Sequence, residues 1–289
     1  MTDVSTPHTP IDVATLMGTV HLTVSDLGRS IAYYRDAVGL SVLDAGSGEA
    51  SLGTAREALV HLVESPGAAP SRGHTGLFHL ALLVPDRADL ARWLAHAAQT
   101  QVPLAGMSDH FVSEAIYLQD PDDHGIEIYH DRPRTLWQDR IDEMTTATLD
   151  VDDLLSDVVD PRTEPFDGLP IGTRMGHVHL RVRDIPEAVG FYRDVLGFDL
   201  MTMYGPHAAF LGAGGYHHHV GANVWQSLGA PPPPPGVASL LHVTVVLPTR
   251  GALDVLAGRV ADLGHDPVAQ PDGVVVRDPS GIALLLTVR

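Results

Sequence analysis

Between Ser108 and Tyr129 the chain reads SDHFVSEAIYLQDPDDHGIEIY, which sets His110, Tyr117 and Glu127 on a strand, a turn and a second strand. Asp120-Pro121-Asp122-Asp123 is turn chemistry. Its flanks, Ala115–Gln119 and Gly125–His130, have the β-branched and aromatic content of strands. In the second flank Ile126 and Ile128 alternate with Glu127 and Tyr129, so one face is apolar and the other carries a carboxylate and a phenol. A carboxylate on the concave face of a sheet is costly unless it is paired or bound to a cation. The 17 histidines of the chain are the natural places to look for its partners.

The elements that must position these groups recur. Met17–Val24 predicts a strand, Asp26–Val38 an amphipathic helix stopped at Gly39-Leu40, and three strands follow near Ser41–Leu43, Glu49–Leu52 and Ala58–Val63. After a Pro/Gly-rich link at Ser65–Gly76 the order restarts, with a strand at Leu77–Val84, a helix at Arg87–Gln99 and three short strands ending at Tyr129. The second half repeats the first in its letters. GTVHLTVSD from Gly18 matches GHVHLRVRD from Gly176 at an offset of 158, which holds through Tyr34-Arg35-Asp36 and Tyr192-Arg193-Asp194. Phe78-His79-Leu80 is echoed by Leu241-His242-Val243, and Asp120-Pro121 by Asp278-Pro279. The chain therefore reads as four βαβββ units, an α+β class, near 17–64, 77–130, 175–225 and 240–289. In chain order these make domains 17–130 and 175–289, preceded by a loose arm (1–16) and joined by a charged, partly helical linker (131–174). Pro231–Pro235 reads as a stiff connection between the last two units.

Composition excludes several classes. Eighteen basic against 36 acidic residues give a net charge of −18, which disfavours nucleic acid and anionic membrane surfaces. No apolar run approaches membrane-spanning length and no signal peptide opens the sequence. The absence of cysteine excludes disulfides and thiolate chemistry and fits a reducing cytoplasm. Assembly into a homo-oligomer is left open.

Four such units, two of them with xGxVHLxVxD openings and a YRDxxG helix end, resemble the vicinal oxygen chelate superfamily, which includes glyoxalases, antibiotic-binding proteins and extradiol ring-cleaving dioxygenases. The resemblance implies units pairing into two open eight-stranded cups with a divalent metal inside. In each first strand the apolar set (Val20, Leu22, Val24; Leu80, Leu82, Val84; Val178, Leu180, Val182; Val243, Val245, Leu247) must pack under the helix. The alternate set then faces the cup, beginning with Thr19, His79, His177 and His242, a position that supplies a metal-binding histidine in the superfamily. His21 and His179 lie one pleat further on. Among the last strands, unit two offers Glu127, unit one His61, and unit four only Ala283 and Leu285. Unit three, read as one strand from Tyr216 to Trp225, offers His217, His219 and Asn223, with His218 turned away.

Within the superfamily the order and spacing of His110, Ile116-Tyr117, Asp120-Pro121 and Glu127 fit the extradiol signature, departing from it at Asp123, where Gly or Pro is usual. That resemblance implies a catechol 2,3-dioxygenase-like enzyme acting on a catechol and O₂, with Fe(II) held by two imidazoles and a carboxylate. Mn(II) suits the same ligand types. It assigns Tyr117 to hydrogen-bond the substrate, His110 to orient Tyr117, and His219, or His217 one pleat away, to take a catechol proton and return it. The metal ligands are then His79, Glu127 and a third histidine that depends on pairing. If units one and two pair, as their short link favours, Thr19 holds the standard position and His21 must substitute. If units two and three pair, His177 completes the set, and completeness of chemistry favours it. A glyoxalase-type isomerase or lyase, which would want a second carboxylate, and a metal-free binding protein are the rival readings.

Overall fold

The structure is a computed structural model that describes residues 8–55, 57–158 and 166–289; residues 1–7 of the arm and 159–165 of the linker lie outside the described residues. Two large sheets carry the four units, each curled into an open half-barrel. One runs, edge to edge, through Val268–Gln270, Gly273–Arg277, Ala283–Val288, Leu240–Leu247, Leu16–Val24, Glu57–Glu64, Glu49–Thr54 and Ser41–Ala45. It joins units one and four. The other runs through Ala147–Thr148, Gly106–Asp109, Ser113–Gln119, Gly125–Asp131, Gly76–Leu83, Arg174–Arg181, Val220–Asn223, Ala208–Gly212 and Asp199–Tyr204. It joins units two and three and takes a ninth strand from the linker. The sequential halves 17–130 and 175–289 thus each give one unit to each sheet.

Alternation explains both the sheets and the core. All twelve apolar residues of the four first strands are at most 1% exposed, while their alternates point into the cups. Burying each such side chain contributes about 1.5–3 kcal/mol. The helix Arg87–Thr100 starts with Asp86 and Asp89 bonding each other's backbone, and buries Leu90, Trp93, Leu94 and Ala97. The helix Leu27–Tyr33 runs on into a π turn, Tyr34–Val38, and Gly190–Val195 repeats that turn in unit three.

The π turns have a use. Each throws a buried tyrosine toward the Asp-Pro turn of the next unit in sequence: Tyr34 donates to Asp120 (3.2 Å) and Tyr192 to Asp278 (3.1 Å). Asp120 also accepts from the backbone of Asp122 and His124, so the turn before Glu127 is fixed from both sides. Asp123 has φ 67°, in the left-handed region that aspartate tolerates and glycine favours, and Arg72 pairs with it at 2.6 Å. Residues 8–15 are not loose. Ile11 is buried and donates its backbone N–H to Gly197 (2.7 Å), because unit three offers an apolar seat and a free carbonyl.

Candidate active site

Three adjacent strands of the nine-stranded sheet bring His79, Glu127 and His177 together. Gly125–Asp131 runs parallel to Gly76–Leu83, and Arg174–Arg181 runs antiparallel on its other side. Gly125 permits this approach, since a Cβ there would lie 2.1 Å from the Phe78 carbonyl oxygen. Glu127 Oε2 lies 2.9 Å from His79 Nε2 and 3.1 Å from His177 Nε2, and the two imidazole nitrogens are 3.4 Å apart. All three residues are at least 94% buried, and their ligand atoms lie within 4.8 Å of one another. Burial pushes the Glu127 carboxyl up, but the imidazoles of His177 and His79 outweigh it and hold the carboxyl well below its usual range. Burial also lowers His177, more than Glu127 raises it. Two imidazole nitrogens and a carboxylate oxygen thus converge in a buried pocket, a donor set that fits a divalent transition metal.

Tyr117 sits opposite Glu127 across the antiparallel pair. Its hydroxyl is 2.6 Å from His110 Nε2, and His110 Nδ1 is 2.7 Å from the Thr145 carbonyl. A carbonyl only accepts, so Nδ1 carries a proton and Nε2 of the neutral ring accepts from the phenol. Burial, then the Glu127 charge, raises the Tyr117 pKa well above its ordinary value and keeps it protonated.

The histidine run is arranged differently from the expected strand. Only Val220–Asn223 is strand; residues 213–219 turn through Gly214 and Gly215, both at positive φ. Alternation cannot be counted through such a turn, and the expected facing is reversed. His218 lines the cavity, with its ring centroid 4.1 Å from that of His177. His217 lies behind it, and His219 tucks beside Phe198, accepting from the Ala213 N–H. Neither lines the cavity, which removes both from direct reach of a ligand there. His217 Nε2 donates to Asp131 (2.7 Å), which leaves its Nδ1 to accept from His218 Nδ1 (2.8 Å). Asp131 thus fixes two tautomers in series and leaves His218 with an unprotonated Nε2. Burial, then His177 and His217, lowers the His218 pKa well below its usual value, consistent with a neutral base.

His79, Glu127, His177, Tyr117, His110 and His218 all border one cavity of about 370 Å³. His21, His61 and His242 lie in the other sheet, where His21 stacks on His242 at 3.9 Å and approaches His61 at 4.8 Å. Sequence reasoning missed His218, Asp131 and the Thr145 carbonyl. The Gly214-Gly215 pair is the signal that could have broken the false strand; nothing in the letters pointed to Thr145.

The profile of the Glyoxalase/Bleomycin resistance protein/Dioxygenase superfamily matches twice, at residues 16–128 and 174–286. The chain belongs to that superfamily. It is 42% identical over 278 residues to a catechol-2,3-dioxygenase of Bacillus subtilis (strain 168), covering 94% of this chain and 96% of that one. Among solved structures, one from Bacillus subtilis subsp. subtilis str. 168 superposes at a TM-score of 0.67 with 12% identity, over 97% of this chain and 86% of the other. Glyoxalase I from Zea mays superposes at 0.59 with 17% identity, over 94% and 92%. These two likenesses speak for the fold. Each profile match spans consecutive units, whereas each sheet joins units from both matches.

Proposed function

We propose that this chain is an extradiol dioxygenase that opens a catechol beside its diol, using both atoms of O₂. The observation that carries the reading is the buried His79–Glu127–His177 cluster sharing one cavity with the Tyr117–His110 pair. The catechol-2,3-dioxygenase relative of Bacillus subtilis supports it. Fe(II) on those three side chains would supply a centre with open positions for the diol and O₂, and Mn(II) suits the same donors.

The remaining work falls to the protein. His218 takes a diol proton on Nε2, the nitrogen that the Asp131–His217 relay leaves bare, and returns it later in the cycle. Tyr117 stays protonated beside Glu127. Should the second diol proton pass to the Tyr117 oxygen while Tyr117 gives its own hydrogen to His110 Nε2, both His110 nitrogens become donors and the hydroxyl hydrogen of Tyr117 is left for the substrate oxygen. His217 and His219 are then supporting rather than catalytic. Zero cysteines fit a reducing cytoplasm, the compartment we assign; among the described residues no helix is long and apolar enough to cross a membrane.

The test is to load the protein with Fe(II) anaerobically, add catechol, then admit O₂. A yellow ring-opened semialdehyde is the expected product. Retention of intact catechol by an iron-loaded protein would contradict the reading, and isomerase activity on a thiol adduct of an α-oxoaldehyde would favour a glyoxalase instead.

A further inference from the structure

The turn that leads into Glu127 belongs to the nine-stranded sheet but is gripped by the other one. Ser25, just past the strand Leu16–Val24, donates its N–H (2.9 Å) and its hydroxyl (2.5 Å) to Asp122. Arg29, on the helix Leu27–Tyr33, donates to the same carboxylate at 2.8 Å. His124 Nε2 donates to the Thr23 carbonyl at 2.9 Å. Asp122 and His124 are 2% and 4% exposed, so these are interior bonds between the two sheets.

The repeat supplies an internal control. At the offset of 158, Arg183, Glu187, Ser280 and Ile282 stand in place of Ser25, Arg29, Asp122 and His124. The two turns have one shape: Asp278 accepts from the backbone of Ser280 and Ile282, as Asp120 does from Asp122 and His124. The Arg183 N–H donates to Ser280 Oγ at 3.0 Å, and Tyr192 donates to Asp278. Glu187 instead pairs with Arg183 at 3.5 Å, and Ile282 has no side-chain donor. A backbone bond and a tyrosine are thus common to both turns. Among the described residues, the bonds from the Ser25 hydroxyl, Arg29 and His124 occur only at the turn that leads to Glu127.

The strand beyond that turn has little slack. Gly125 follows His124 directly, lies opposite His79 in the ladder, and sits so near the Phe78 carbonyl that no Cβ fits. Glu127 stands about 10 Å from His124 along the same strand. A shift of the turn is therefore passed on to the carboxylate rather than absorbed. We propose, on the metal-binding reading of His79, Glu127 and His177, that Asp122 and His124 are positioning residues for the metal. Held by Thr23, Ser25 and Arg29, they set where Glu127 stands relative to the two imidazoles, so the cup with Leu285 in place of the carboxylate shapes the site of the other.

Asp122→Ser and His124→Ile each install what the repeat carries in a turn of the same shape, which keeps the fold. Cobalt(II) titration of the metal-free full chain, read by calorimetry and by the visible d–d bands, is the test. Affinity should fall about 10-fold or more in each variant, the scale of losing an outer support of a metal ligand, and the bands should change. Arg29→Lys, which keeps a cation for Asp122, should stay near wild type. Ser280→Ala, which loosens the other turn, should lower the melting temperature and leave cobalt affinity and bands as they were. Wild-type affinity and bands in both Asp122→Ser and His124→Ile, with only the melting temperature lowered, would overturn the proposal and leave these bonds as a seam between sheets. Failure of the unaltered chain to take up cobalt would instead sink the metal-binding reading, and the proposal with it.

Discussion

In the sheet of units two and three, the cup holds His79, His177, Glu127, Tyr117 and His218; in the sheet of units one and four the corresponding positions hold His242, Thr19, Leu285, Val275 and Ala58. The correspondence follows from the repeat offset and the strand registers: Val20 pairs with Val60 as Val178 pairs with Val220, and Val275 faces Leu285 as Tyr117 faces Glu127. Thr19 spends its hydroxyl on the Ala58 carbonyl at 2.8 Å. One fold is therefore built twice in the same chain, with a carboxylate at the Glu127 position of one cup and Leu285 at that position of the other. The difference teaches that the scaffold asks only for the apolar face, which both cups share, and that chemistry resides in a handful of alternate residues. The second cup is not empty of imidazole, but its rings stack on one another, and the carboxylate nearest to them, Glu49 at 3.5 Å from His61, is exposed.

Removing the buried carboxylate should erase most of the contrast between the two cups. Glu127→Ala should release the metal and abolish ring cleavage while circular dichroism stays native, whereas Leu285→Ala should leave both metal and turnover in place. Full iron occupancy in Glu127→Ala would contradict the assignment. Next, His218→Phe should slow turnover by about 10²–10⁴ with the metal retained, the usual worth of a general base. His219→Gln should change turnover little, and the reverse ranking in steady-state kinetics would restore the expectation drawn from alternation. Tyr117→Phe should keep the metal and cost about 10–10³ in kcat, the effect of one preorganised hydrogen bond in a dry site. An unchanged kcat would make Tyr117 a packing residue.

The smallest effect belongs to the second cup. His21 is held at about 3, against an ordinary 6.5, by burial first and then by His242 and His61. From pH 6.5 down toward about 3, the unfolded chain binds a proton that the folded one refuses, so this site lowers stability as the pH falls. His21→Phe, which keeps a ring to stack on His242, should make the melting temperature fall less steeply over that range. Identical slopes for both proteins would remove His21 from the acid response.

Much of this was readable in the letters, for physical reasons that can be named. His79 and Glu127 were legible because both lie on regular strands, where a period of two fixes the face. Unit pairing was not a local property. The short Ser65–Gly76 link favours pairing neighbours, and only the search for a full ligand set pointed to His177. Among the bonds that tie consecutive units are Tyr34–Asp120 and its repeat at Tyr192–Asp278, and although all four residues stood out as repeats, their contact spans two elements and cannot be seen in either. His218 was misplaced because alternation was carried back from Val220 over residues 216–219, which are not strand. His110 was placed by its motif, while its tautomer depends on Thr145, a linker carbonyl 35 residues away.

The central claim is that one metal lies between units two and three. Metal content of His79→Ala, His177→Ala and His21→Ala, purified and loaded with iron side by side, tests it most directly. Iron should be lost from the first two variants and retained by the third. Retention in His177→Ala together with loss in His21→Ala would place the site within the first half of the chain and contradict the account.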